Sequence, residues 1–147
     1  MQILKNVGAA VAGYIAMFAV AFVLFSIMWA ILGSERAFQP ATWDITGAWI
    51  VGSIGLGLLV SMSGGATASK LGDGKQSVAI LVGLVLLVGV LAALPEASSG
   101  APRPAEISIF DAMSQAKQPT WLLWLNPLFG VVGVLLGAKL ASRSAGR

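Results

Sequence analysis

Uncharged runs dominate the chain: residues 7–33, 45–69, 76–95 and 119–138 carry no Asp, Glu, Lys or Arg. At about 1.5 Å of rise per residue, each run is long enough as a helix to cross a hydrocarbon layer of roughly 30 Å. The pattern predicts an all-α, polytopic membrane protein with four transmembrane helices at those positions. A fifth, shorter helix is expected over 108–117, where Ser108 and Asp111 have the spacing of a capping box. In that helix Ile109, Ala112, Met113 and Ala116 share one face, and Asp111, Ser114, Gln115 and Gln118 the other. Such an amphipathic element is expected to lie in the membrane interface.

Composition agrees with the segment pattern. The chain is 57% hydrophobic and 10% charged, with a mean hydropathy of +0.88, whereas soluble domains are about one-quarter charged. Four spans in 147 residues leave no room for a second domain with its own soluble core, so one bundle over 1–147 is expected. The first apolar run exceeds the roughly 7–15 residues of a secretory signal, and no small-residue cleavage pattern follows it, so it is expected to be retained as a helix.

Charge then sets an expected orientation. Four spans put both ends of the chain and the 71–75 connection on one side, with Lys5, Lys70, Lys75, Lys139, Arg143 and Arg147 against a single acid, Asp73. The other side holds Arg36, Arg103 and Lys117 against Glu35, Asp44, Glu96, Glu106 and Asp111. Basic residues gather in cytoplasmic loops, so both termini are expected to be cytoplasmic. The net charge of +3 and the pI of about 9.7 arise from cations scattered singly at helix ends, which argues against nucleic acid as a partner.

Helix ends and connections carry their own signals. Thr42 before Trp43 and Asp44 supplies a capping hydroxyl and an early acid for the second helix, while Lys70 and Lys139 complement the dipoles of the second and fourth. Residues 71–75, Leu-Gly-Asp-Gly-Lys, read as a tight turn whose glycines are free to take positive φ. Residues 95–105, with three prolines and Ser98-Ser99-Gly100, read as a flexible or extended linker.

Small residues mark the second span most strongly, because Ser53, Gly57, Ser61, Gly65 and Ser69 recur at every fourth position. Gly133 and Gly137 begin a similar ladder in the fourth span, and Ala9 and Gly13 a weaker one in the first. In lipid such stripes admit a second helix at close range, either within the bundle or from a partner chain. All five tryptophans fall in the outer half, the position of an aromatic belt. Trp49 and Trp124 lie deepest and are candidates to wall a site for an amphiphile such as a lipid, quinone or pigment. Asn126, followed by Pro127, is the most polar interior step, and either locks two helices or contacts a pore or ligand.

What is absent narrows the function. With no histidine and no cysteine there is no imidazole base, thiol nucleophile, histidine-ligated haem or cysteine-bound metal, so no metal site and no cofactor are expected. No acid lies within a span, which removes intramembrane aspartyl chemistry and coupled ion relays. Ser69 and Lys70 are sequence neighbours that point about 100° apart on a helix, a poor dyad. Gly74-Lys75 lacks both the leading glycine and the Ser or Thr of a phosphate loop, since positions 69 and 76 are Ser and Gln. The chain is not expected to be an enzyme.

The two hairpins echo each other through Gln39-Pro40-Ala41-Thr42-Trp43 and Gln118-Pro119-Thr120-Trp121, as a parallel repeat would. Gly64-Gly65, Ala66 and Ala68, with Pro119-Thr120-Trp121, Pro127 and Gly137-Ala138-Lys139, resemble the pattern of small uncharacterised four-helix proteins of bacterial inner membranes. That resemblance implies a location and a fold and no activity. Two functions fit these readings. One is a non-catalytic accessory or assembly subunit of a larger membrane complex, docking a protein partner, a second copy or lipid. The other is a homo-oligomeric channel or facilitator for a small neutral solute, with the Ser/Gly stripe or Asn126 along its path.

Overall fold

The computed structural model of the chain describes residues 1–94 and 102–145. It is all-helical: α1 (Gln2–Ala37), α2 (Gly47–Leu71), α3 (Gly74–Ala92), α4 (Ile109–Gln115) and α5 (Thr120–Ala145). Four of these, α1, α2, α3 and α5, are long and apolar enough to cross a membrane among the described residues. Both termini and the α2–α3 turn lie at one end of the bundle, here the terminal end. The α1–α2 connection and α4 lie at the other, the loop end.

The helices do not stop where the uncharged runs stop. At about 1.5 Å per residue, α1 runs roughly 46 Å from Gln2 to Gly33, taking in Lys5, and resumes beyond it through Glu35 and Arg36. Gly33 interrupts it with φ 64° and ψ 177°, a backbone only glycine adopts without strain. The cap of α2 is Thr46 rather than Thr42: its hydroxyl accepts from the Trp49 N–H at 3.3 Å and donates to the Arg36 carbonyl at 2.5 Å. Thr42 instead accepts from the Asp44 N–H inside the connection. The expected run to residue 95 ends earlier, with α3 stopping at Ala92; the rest of that linker lies largely outside the described residues. Helix α5 continues past residue 138 through Lys139 and Arg143, cations suited to its C-terminal end. Ser108 and Asp111 do form the capping box of α4.

At the terminal end the helices approach backbone to backbone. A Cβ on Gly65 would strike the Val134 carbonyl, and one on Gly137 would strike the Met62 carbonyl, so glycine is what lets the α2 and α5 backbones touch at these two points. On the adjoining face of α2, a Cβ on Gly13 of α1 would sit 2.8 Å from the Gly64 carbonyl oxygen. Ala10, Ala68, Val78, Leu81, Val85 and Val134 form the core between these contacts. The α2–α3 turn is held by Asn6, which is fully buried: its amide donates to Gln76 Oε1 at 2.7 Å and its Oδ1 accepts from the Asp73 N–H at 2.8 Å. This satisfies an amide that begins α3 without an intrahelical partner. Ser77, also fully buried, donates to the Ala68 carbonyl at 2.8 Å. Of the turn glycines only Gly74 has positive φ; Gly72 is held by space, because a Cβ there would lie 2.5 Å from Ser77 Cβ.

The loop end has a second core of Ala37, Phe38, Trp43, Ile45, Ala112 and Leu122. Its connections are tied together by backbone hydrogen bonds. The Gln39 N–H donates to Asp44 and the Thr46 N–H to Ala37, folding the α1–α2 connection on itself. The Lys117 N–H donates to the Trp43 carbonyl at 2.8 Å, and the Ile45 N–H to Lys117 at 3.2 Å, joining the segment before α5 to that connection. Arg103 adds its own N–H to the Ala41 carbonyl and its Nε to the Thr42 carbonyl, with its guanidinium 5.7 Å from the Phe38 ring centroid. Ala112 of α4 is buried in this cap, so part of the helix's apolar face rests on the chain itself.

Candidate binding cleft at the loop end

Phe18, Phe22, Phe25 and Trp29 follow one another on α1 at spacings of four, three and four, which places them on one helical face. Among the described residues α1 and α5 do not approach each other closely. Between α1, α2 and the α4 region opens a cavity of about 310 Å³, walled by the α1 aromatics, Phe38 and Trp49, with Ile109, Ala112 and Ala116 along its loop-end side. Its walls are braced by ring contacts. Trp49 stands edge-on to Trp29 at 6.0 Å and 6.3 Å from Phe25, while Trp29 contacts Phe38 at 6.2 Å and Phe38 contacts Trp43 at 5.7 Å. These separations suit edge-to-face aromatic pairing, which fixes ring orientation beyond what burial alone would do.

A smaller chamber of about 210 Å³ adjoins it and shares Phe25, Trp49 and Gln118. Ser53, Ile54, Gly57 and Ser61 of α2 face Asn126, Phe129 and Gly130 of α5 across it. The Asn126 amide donates to Gln118 Oε1 at 3.0 Å, so an amide pair stands at this chamber. The two serines offer less than their hydroxyls suggest, because Ser53 donates to the Ile50 carbonyl and Ser61 to the Gly57 carbonyl within their own helix.

The small-residue stripe on α2 therefore has two environments. Gly65 is closed against α5 together with Gly133 and Gly137, and Ser61 stands at the boundary with its Cβ only 2.5 Å from where a Gly133 Cβ would be. Gly57 has open space beyond it, and Ser53 lies beside it in the chamber. Ser69 is half-buried near the end of the helix. Of the ligand candidates, Trp49 and Asn126 line the cleft and Trp124 does not; its side chain is 50% exposed, as is Trp121 at 52%. The two exposed rings are therefore the ones placed for a belt, while Trp29, Trp43 and Trp49 pack among themselves and their phenylalanine neighbours. Sequence reasoning missed Phe18, Phe22, Phe25 and Gln118, although the spacing of the three phenylalanines with Trp29 was a readable signal.

Every side chain lining the two chambers is uncharged. Among the described residues no three His, Cys, Asp or Glu come together. Asp111, on α4, has its carboxyl held below the ordinary carboxylate value by the Ser108 hydroxyl and then by the Ser108 N–H. The cleft thus offers shape, aromatic surface and amide hydrogen bonds, and no proton donor or acceptor of useful pKa.

Four helices long and apolar enough to cross a membrane among the described residues make this a multi-pass, all-helical membrane protein. No protein-family model, curated protein or solved structure matches the chain.

Proposed function

We propose that the chain is a non-catalytic accessory subunit of a larger membrane complex, one that works by holding a lipid-like molecule or cofactor within the bilayer. The observation that carries this reading is the charge-free cleft walled by braced aromatic rings, a preformed apolar pocket with a few convergent polar groups. Lys5, Lys70, Lys75, Lys139 and Arg143 at the terminal end support a cytoplasmic placement of both termini, in a bacterial inner membrane, with the cleft in the outer leaflet. In that frame α4 lies at the outer interface, with its exposed Phe110 toward lipid.

Docking of a partner chain would use α1. Only 6% of its most apolar stretch is buried, against 33% for α5, and Val23, Ile27 and Ile31, four residues apart, are exposed along one face of it. Gly65, Gly133 and Gly137 are spent within the bundle, which leaves only the Ser53–Gly57 part of the α2 stripe open and weighs against a homo-oligomeric channel lined by the whole of it. Single cysteines at Ile27 or Ile31, in a chain with no native cysteine, allow crosslinking in native membranes followed by blue-native electrophoresis. An assembly larger than the monomer is expected; a monomer alone, with no crosslinked product, would overturn the proposal.

A further inference from the structure

We infer that the cleft takes a neutral amphiphile with a hydrocarbon body and one carbonyl or hydroxyl end, seated with that oxygen at the Gln118–Asn126 amide pair. This rests on the proposed role as a bilayer-embedded binding subunit and names its ligand.

Charge comes first. A charged headgroup drawn in among the ring-lined walls would give up hydration and meet no charged side chain in the lining, which is costly in an apolar setting. The position of the polar end follows from hydrogen-bond accounting. Asn126 spends one amide hydrogen on Gln118 Oε1, and neither amide makes another hydrogen bond among the described residues. The Gln118 NH₂ group and the Asn126 carbonyl oxygen therefore remain as a donor and an acceptor side by side. A hydroxyl can use both, and a carbonyl oxygen can accept from the Gln118 NH₂ group, whereas the neighbouring Ser53 and Ser61 have already committed their protons to backbone carbonyls. Shape supplies the rest. Gln118 and Trp49 border both chambers, so one molecule with its oxygen at the amides can extend its hydrocarbon body between Phe22, Phe25 and Trp29. Phe18 and Phe22 are exposed on the flank of α1, which gives access from the lipid side.

Two sources share this chemistry: an isoprenoid-type quinone and a diacylglycerol. The test uses the full chain in lipid nanodiscs with Trp121→Phe and Trp124→Phe, which removes the two lipid-exposed indoles and leaves Trp29, Trp43 and Trp49 to report. Fluorescence quenching is titrated with a decyl benzoquinone, a brominated diacylglycerol and a brominated fatty-acid anion. Saturable quenching by either neutral probe is expected, and which of the two saturates assigns the source. Asn126→Leu or Gln118→Leu should weaken it about fivefold to tenfold, the worth of one hydrogen bond. Gly57→Leu, directed into open space and so compatible with the fold, should abolish it. Quenching that rises linearly and is unchanged by Gly57→Leu, or that is as strong with the anion, would overturn the inference. If no neutral probe binds while the native assembly persists, this ligand is wrong and the subunit role stands. Saturable binding in a chain that runs only as a monomer keeps the ligand and removes the subunit role.

Discussion

The two halves of this bundle are built on opposite rules. At the terminal end, glycines on α1, α2 and α5 bring backbones together, and buried Asn6 and Ser77 close the remaining polar groups. At the loop end, aromatic side chains hold the same helices apart around open space. In lipid the hydrophobic effect does not drive helices together, so close packing and satisfied hydrogen bonds must supply the cohesion. The terminal half concentrates both. The loop half is then free to keep a cleft, and the hydrogen-bonded cap of its two connections holds that cleft in shape.

The sharpest way to break this contrast is at the tightest contact. Gly137→Leu forces a side chain into the Met62 backbone, which cannot yield as a flexible side chain would. A loss of about 3 kcal/mol or more is expected, read as a collapse of the cooperative thermal transition in detergent by circular dichroism. Next in size is Asn6→Leu, which strands the Asp73 N–H and the Gln76 side chain together. A cost of about 2 kcal/mol is expected, with hydrogen exchange rising first in the α2–α3 turn and the cleft left intact.

A smaller effect belongs to the loop end. Ser108→Ala removes the cap of α4 at about 1 kcal/mol of local helix stability, detectable as faster amide exchange in residues 109–115 without a change in the global transition. Acid should mimic it in part. The Asp111 carboxylate titrates below its ordinary value of about 3.9 because it accepts from Ser108. Its support of the cap is thus fully present above that value and fades as pH falls through the lowered one. Exchange in α4 that is flat from pH 6 to pH 3 apart from the intrinsic rate would contradict this.

Much of the architecture was legible because it is local. Span number, the capping box of Ser108 and Asp111 and the glycine ladders all follow from periodicity within one segment. The cap of α2 was misplaced because Thr42 and Thr46 look alike in sequence; what decides between them is the Arg36 carbonyl, which only the folded connection brings to Thr46. Joining of Trp43 to Lys117 and Ala41 to Arg103 is long-range backbone pairing that no side-chain pattern announces. Trp49 and Asn126 could be singled out as deep and polar, yet their meeting at one chamber depends on how α2 and α5 pack, which neither segment shows alone. The phenylalanine ladder of α1 was readable as a face and was overlooked, since within a membrane an aromatic face toward lipid and one toward a cavity have the same sequence.

One matched pair of substitutions tests the central claim most directly. Gly57 and Gly65 lie on the same stripe of the same helix, two steps of the ladder apart, and alanine is the smallest change possible at each. Thermal unfolding of the two alanine variants in the same detergent should separate them. Gly65→Ala should lose several degrees or fail to fold, because its Cβ meets the Val134 backbone, while Gly57→Ala should match or exceed the parent by up to about 1 kcal/mol, the helix-propensity gain of alanine in open space. Equal destabilisation at both positions would mean that the stripe is packed along its whole length and that the cleft is not there.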